Sequence, residues 1–325
     1  MVDADTLRRA LGYRLTDARL PGLPGHYRGK VRENYSLSGG RRLLIATDRQ
    51  SAFDQVLAAV PFKGQVLTQI ARFWFERTAD LCANHVLDYP DPNALVAREL
   101  TMLPLEMVVR DYLTGSTDTS VWTAYAKGCR RFCGNPLPDG LRKNDKLPET
   151  ILTPSSKPAD GSHDVSMSPG ELIAAGLITP EQWAELADVS LRLFARGREI
   201  AASNGLILVD TKYEFGLDRD GRVTLADEIH TPDSSRYWYA ASYAARHAAG
   251  QEPESLDKEF LRLWLRERCD PYKDPIPEIP DDVLVDFAGR YIRLFETVTG
   301  QTFDVPDMSV PILERIRHNL ERVAP

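Results

Sequence analysis

Residues 205–238 read GLILVDTKYEFGLDRDGRVTLADEIHTPDSSRYW. An apolar run, Leu206 to Val209, ends in Asp210, and Lys212 and Glu214 follow at alternate positions. Asp-Arg-Asp-Gly at 218–221 is a turn signal, and a second apolar run, Val223 to Ala226, ends in Asp227 and Glu228. Alternate side chains of a strand share a face. Asp210, Lys212 and Glu214 are therefore expected to project together, with Tyr213 and Phe215 pointing the other way. Folding the hairpin about Arg219 and Asp220 sets 212 opposite 227 and 214 diagonal to it. Diagonal neighbours lie roughly 7–8 Å apart, within reach of one shared ion. Two carboxylates beside a lysine suit Mg²⁺ and phosphate, because Mg²⁺ takes hard oxygen ligands and commonly bridges phosphates. A bulge at Gly221 would slip the register by one and bring Glu228 forward in place of Asp227. A solvated hairpin with charges on its outer face is the competing account of the same residues.

The chain around this hairpin has 325 residues, 43% hydrophobic and 27% charged, with a net charge of −7. That length predicts two domains. The acidic balance disfavours a general nucleic-acid partner. No stretch approaches the roughly 20 apolar residues that span a bilayer. The start, MVDADTLRRALGYRL, lacks the apolar core of a signal peptide. Four cysteines, Cys82, Cys129, Cys133 and Cys269, have no histidine partner at zinc spacing. They read as free thiols and point to the cytoplasm.

The first hundred residues look β-rich. His26 to Leu37 and Arg41 to Thr47 are strand-like and joined by Ser-Gly-Gly. Leu67 to Leu81 has helical spacing, with Phe73, Trp74 and Phe75 as a core patch. Glu106 to Arg110 reads as a buried strand. Residues 134–169 form a long irregular stretch of the functional or disordered kind. Pro180 to Ser203 is a helix capped by Thr179 and stopped by Asn204-Gly205. After Pro232 the pattern is helical almost to the end, interrupted by the proline-rich 271–280.

Four further motifs carry chemistry. In Gly29-Lys30-Val31-Arg32-Glu33 a glycine allows close backbone approach to a phosphate and Lys30 supplies charge, although an ordinary hairpin explains the same residues. Thr47-Asp48-Arg49 ends a strand, where Asp48 and Arg49 also suit a structural ion pair; Lys63-Gly64 repeats the lysine-plus-glycine chemistry. Arg110 lies at the end of a buried strand before the Thr114-Gly115-Ser116 turn, a combination that suits phosphate or carboxylate and also a plain loop cap. In Thr231-Pro232-Asp233-Ser234-Ser235-Arg236, Asp233 or Ser234 is expected to cap a helix running through Tyr243. Arg236 in a first turn would oppose the helix dipole and so is expected to have another role.

Taken together, GKVRENY, TDRQSAFDQVL, PFKGQVLTQ, EMVVRDYLTGS, ILTPSSKPADGSHD, ILVDTKYEFG and LADEIHTPDSSRYW resemble, in order, the phosphoribosylaminoimidazole-succinocarboxamide synthase (SAICAR synthetase) family. They span roughly residues 27–240, and SLDKEFLRLWL at 255–265 is also similar. Glu33 stands where the family usually has Asp. The resemblance implies an α+β, two-lobed fold. A β-rich N-terminal lobe (1–107), similar to the ATP-binding lobes of kinases and ATP-grasp enzymes, accompanies a larger α/β lobe (108–325), with ATP in the cleft.

It further implies a ligase that joins the carboxylate of 5-amino-1-(5-phosphoribosyl)imidazole-4-carboxylate (CAIR) to the amine of L-aspartate through an acyl phosphate, using ATP and Mg²⁺. Carried onto this chain, Glu214 and Asp227 would hold the metal, and Lys212 would bridge phosphates and the substrate carboxylate. Gly29, Lys30, Val31 and Lys63 would serve the triphosphate, and Met102 and Glu106 would lie near adenine and ribose. Arg110, Ser116 and Arg236 would bind CAIR. Asp210 would orient, or take a proton from, the attacking ammonium, and His163-Asp164 would border the aspartate subsite. The family varies in oligomeric state, so a homo-oligomer is compatible with this reading. A small-molecule kinase of similar architecture and a nucleotide-binding regulatory protein are the rival expectations. The charged trio at 210–214 with Asp227 weighs against the second, since binding alone does not require it.

Overall fold

Alternation in the N-terminal residues produces a meander. Tyr27–Arg28 (β1), Arg32–Leu37 (β2) and Arg41–Ala46 (β3) pair antiparallel, and the β2–β3 turn falls on Ser38-Gly39-Gly40, with both glycines at positive φ. Arg49–Ala52 (β4) and Gln55–Ala59 (β5) form a separate hairpin. Val86–Asp91 (β6) and Ala94–Arg98 (β7) complete a five-stranded sheet in the order β1-β2-β3-β7-β6. The computed structural model describes residues 2–117, 119–157 and 164–322.

The aromatic helix begins earlier than its spacing suggests, at Lys63, and ends at Arg77. Its start is set from a distance. The Asp48 carboxylate accepts from the Gly64 N–H at 2.9 Å and from the Leu15 N–H at 2.7 Å. Of the expected core patch, Trp74 and Phe75 are buried and Phe73 is only half-buried. The core of this sheet joins Tyr35, Leu43, Ile45 and Val96 to Ile312 and Ile316, which come from the helix Ile312–Leu320 near the other end of the chain.

The second sheet is built on two 12-residue strands, Thr101–Tyr112 (β8) and Leu206–Leu217 (β14), which lie antiparallel along nearly their whole lengths. Between them in sequence come the small hairpin Arg131–Phe132 (β9) with Asn135–Pro136 (β10), then Lys146–Leu152 (β11), Ser155–Ser156 (β12) and Val165–Ser166 (β13). Val223–Ala226 (β15) and Ser235–Tyr239 (β16) both pair with β14, while β11 and β12 pair with β8. The helix Pro180–Ser203 forms as predicted, with Thr179 and Gln182 closing a reciprocal capping box.

Two expectations need correction. The boundary at 107/108 falls inside β8. The chain divides instead into one unit of residues 1–75, 85–99 and 256–325 and another of 76–84 and 100–255. Ile312 and Ile316 of the C-terminal helix supply core to the N-terminal sheet, which joins the end of the chain to the first unit. Second, Arg236 does not open a helix. Residues 235–239 are strand, because Ser-Arg-Tyr-Trp-Tyr alternates and is rich in β-favouring aromatics; the helix spans Ala240–Ala248.

Candidate functional site

Three strands bring three charges abreast. Asp210 in β14 lies opposite Arg110 of β8 on one side and Arg236 of β16 on the other. Directly opposed residues of antiparallel strands present side chains to the same face. The Asp210 carboxylate accepts from Arg110 at 3.0 Å and from Arg236 at 2.6 Å. Arg110 also donates through Nε to the Thr153 hydroxyl at 2.8 Å. Both arginine side chains are 11% exposed and Asp210 is 4% exposed. Burial and then the like charge of Arg236 lower the Arg110 guanidinium below its usual value, against the pull of Asp210. Two guanidiniums facing one carboxylate leave a net positive charge, so the trio is set to receive an anion.

The Thr114–Ser116 turn lies against this trio. Gly115 has φ +110°, and a Cβ there would sit 2.5 Å from the Ser120 Cβ and 3.1 Å from a terminal nitrogen of Arg236. Only glycine permits that approach. Ser116, the next residue, is buried.

Further along the same face of β14 the charges interleave. Glu106 lies directly opposite Glu214, which alone would be repulsive. Lys212 resolves it, with its ammonium 2.6 Å from Glu106 and 3.2 Å from Glu214. Lys157 completes the cluster at 2.6 Å from the other Glu214 oxygen. Burial would push Lys212 down, but Glu106, Glu214 and Asp227 together hold it well above its usual value. Burial would raise Glu214; Lys212 and Lys157 outweigh that and hold it low. Both groups are therefore charged across the physiological range. Tyr213 and Phe215 point to the opposite, buried face as expected.

The hairpin register differs by one from a turn centred on Arg219 and Asp220. Glu214 lies opposite Ala226 and Gly216 opposite Thr224, with Gly221 at φ +77°. This is the slip anticipated for a bulge at Gly221. Pairing stops at Ala226, and Asp227 takes φ +58°, which ends strand alternation. Asp227 is half-buried and its charge acts on Lys212, whereas Glu228 is buried and accepts from the Thr231 hydroxyl at 2.9 Å. Among the described residues no group of three or more His, Cys, Asp or Glu could hold a metal by itself. A pair of carboxylates such as Glu214 and Asp227 suits Mg²⁺ when phosphate oxygens and waters supply the other ligands.

The other predicted residues lie on further elements. Gly29, Lys30 and Val31 form a turn in the first unit, where Lys30 pairs with Asp54. Asp48 and Arg49 do not pair with each other: Arg49 binds Glu33 at 2.8 Å. Lys63 is fully buried in that unit and contributes to the charge felt by Asp48. Met102 is 45% exposed on β8, beside Gly216. Asp164 is exposed, and His163 lies outside the described residues. Lys157 and Thr153 escaped sequence reasoning. Their one signal is that β12 follows a strand-like Ile151–Thr153 and leads Lys157 towards Glu214. All four cysteines are unpaired. Among the described residues no helix is long and apolar enough to cross a membrane.

The SAICAR synthetase family model matches residues 25–279. A Mesorhizobium japonicum protein named putative phosphoribosylaminoimidazole-succinocarboxamide synthase 2 is 57% identical over 309 residues, covering 95% of this chain and 98% of that protein. The phosphoribosylaminoimidazole-succinocarboxamide synthase of Legionella pneumophila (strain Paris) is 50% identical over 309 residues, with the same coverage of 95% and 98%. Among solved structures, the SAICAR synthase of Saccharomyces cerevisiae complexed with SAICAR superposes with a TM-score of 0.76 at 32% identity, covering 90% of this chain and all of that one.

Proposed function

Because the chain belongs to the SAICAR synthetase family, we propose that its two charged clusters divide the work of one ligation. The protein is a carbon–nitrogen ligase of purine biosynthesis that condenses CAIR with L-aspartate to give SAICAR. A carboxylate is a poor acyl donor because its leaving group would be oxide. In our reading the γ-phosphoryl group of ATP passes to the CAIR carboxylate oxygen and ADP leaves. The aspartate amine then attacks the acyl phosphate, phosphate departs, and the nitrogen loses a proton. Such transfer depends mainly on positioning and charge neutralisation.

The observation that carries this reading is the Arg110–Asp210–Arg236 trio beside the Gly115-Ser116 turn. Its net positive charge suits the dianionic ribose phosphate of CAIR. Asp210, engaged with both guanidiniums, orients them, and it remains the carboxylate carried for the attacking ammonium of aspartate. Lys212, two residues along the same face, reaches for the phosphoryl group in transfer. Glu214 and Asp227 would hold Mg²⁺, which when bound neutralises phosphate charge. Lys157 adds a second cation. The turn at 29–31 serves the nucleotide phosphates, and Lys63 is carried for the same group. Met102 and Glu106 are carried for adenine and ribose, with Glu106 also fixing Lys212, and Asp164 for the aspartate subsite. We extend the reading to the fold by taking the five-stranded unit as a nucleotide-binding lobe of the kinase and ATP-grasp kind. Unpaired cysteines agree with a cytoplasmic setting.

Incubation with ATP, Mg²⁺ and CAIR, with and without L-aspartate, tests the proposal by following ADP. We expect ADP release coupled to SAICAR formation and dependent on aspartate. Continued turnover of ATP without aspartate, well beyond one ADP per enzyme, would indicate a kinase, and no turnover a binding protein.

A further inference from the structure

Three successive carbonyls in the 29–31 turn are tied down from behind. Arg49, only 3% exposed, donates through one terminal nitrogen to the Gly29 carbonyl at 2.9 Å and through Nε to the Lys30 carbonyl at 3.0 Å. Its other terminal nitrogen reaches the Thr16 carbonyl at 2.7 Å and the Glu33 carboxylate at 2.8 Å. The Val31 carbonyl accepts from both the backbone N–H of Thr47, at 3.0 Å, and the Thr47 hydroxyl. Glu33 is itself fully buried and meets His26 at 2.8 Å through its second oxygen.

This arrangement exceeds what a hairpin turn needs. Two of the four bonds made by this rigid fork go to successive carbonyls of one short segment, and the other two anchor the fork to the Thr16 carbonyl and the Glu33 carboxylate. With those carbonyls held inward, the peptide planes are fixed. The N–H groups of Lys30 and Val31 donate to no backbone carbonyl among the described residues. Successive N–H groups turned one way form an anion-binding concavity, and Lys30 beside them is 54% exposed in its side chain, its ammonium paired with the equally exposed Asp54.

We propose that Arg49 is a positioning residue for the nucleotide: it aims the Lys30 and Val31 N–H groups at the phosphates of ATP without touching them. The proposal rests on the reading that this turn serves ATP. Glu33 keeps the buried guanidinium neutralised, and Thr47 does for Val31 what Arg49 does for its two predecessors.

Two variants separate the proposal from the reading beneath it. Arg49→Lys keeps the charge facing Glu33 but cannot span both carbonyls. Lys30→Ala removes the ammonium and leaves the backbone held. We expect both to remain folded, and both to raise the ATP KM and the dissociation constant for MgADP, by calorimetry, at least about 10-fold, the scale of one lost charge-assisted contact. The CAIR KM should stay within about twofold, a split that general loosening of the fold would not produce. If Lys30→Ala weakens the nucleotide and a folded Arg49→Lys does not, Arg49 is structural only and the proposal fails. If Lys30→Ala leaves nucleotide affinity unchanged, the turn does not serve ATP, and the reading falls together with the proposal. Equal loss for ATP and CAIR in Arg49→Lys also overturns it. Should Arg49→Lys not fold, Thr47→Val decides, with a smaller rise expected for ATP alone and no change counting against the proposal.

Discussion

Asp210 accepts a hydrogen bond from Arg236 at 2.6 Å across 26 residues of sequence, and that bond fixes where the second guanidinium points. Replacing Asp210 with Asn keeps an acceptor but leaves Arg110 and Arg236 facing each other without a counter-charge. We expect kcat/KM for CAIR to fall about 10²-fold, the scale of a small misplacement of a binding group, with the ATP KM within about twofold. Steady-state kinetics with each substrate varied in turn decides the matter. Equal losses for both substrates would place Asp210 in general scaffolding.

Arg236→Met removes one anion contact while Arg110 keeps its partner. The expected result is a CAIR KM raised about 10- to 100-fold, as for one lost charged hydrogen bond, with kcat nearly unchanged. An unaltered CAIR KM in folded protein would take Arg236 out of the site.

Lys212→Ala and Asp227→Asn probe the neighbouring cluster. Each should fold and lose at least about 10²-fold in turnover, as for lost phosphate or metal contacts. Asp227→Asn should in addition require more Mg²⁺ for half-maximal rate. Circular dichroism establishes folding, and a Mg²⁺ titration of the rate gives the second readout. Near-normal turnover in either folded variant contradicts the assignment.

The alternation of Asp210, Lys212 and Glu214 was legible because a strand imposes a period of two whatever surrounds it. The slip to Glu214 opposite Ala226 was legible only as an alternative, since the backbone of Gly221 chooses it. Arg236 was misplaced because Thr-Pro-Asp-Ser-Ser carries every local cue for a helix start. The alternation of Ser-Arg-Tyr-Trp-Tyr just after it, and the pairing of 235–239 with Leu206–Thr211, decide for strand. Lys157 had only the strand-like run before it as a cue: its meaning lies in Glu214, 2.6 Å from its ammonium and far away in sequence. The start of the aromatic helix at Lys63 depends on Asp48, 16 residues from the Gly64 N–H it accepts, and propensity cannot see that distance.

Gly197 offers a test of packing in the long helix. In an exposed helix interior, Gly→Ala would gain about 1 kcal/mol. Here the added Cβ would lie 2.3 Å from the His230 Cε1 and 2.7 Å from Leu208. The ring cannot easily withdraw, since Tyr213 holds it at 2.5 Å and Tyr237 donates to the His230 carbonyl at 2.8 Å. We expect Gly197→Ala to lose about 1–3 kcal/mol, the usual cost of overpacking, by urea unfolding at pH 7. A stabilised variant would mean that the 227–231 turn yields.

Asp48 gives stability a pH dependence of unusual sign. Burial raises its carboxyl to about 6 from 3.8, even though the Gly64 and Leu15 N–H groups and the Lys63 charge pull it down. The folded protein therefore binds a proton that the unfolded chain has already released between those two values. Stability from this group is complete below the unfolded value and is lost as pH rises through about 6, at up to about 1.4 kcal/mol per pH unit and about 3 kcal/mol in all. Asp48→Asn cannot titrate. It forfeits one acceptor at every pH, because its amide leaves a single oxygen for two N–H groups. The variant is thus destabilised relative to the parent at pH 4, and the gap should close, and reverse if the lost bond costs less than about 3 kcal/mol, by pH 7. Urea unfolding of both proteins at pH 4, 5.5 and 7 measures the trend; a difference constant across that range would show that Asp48 stays ionised throughout.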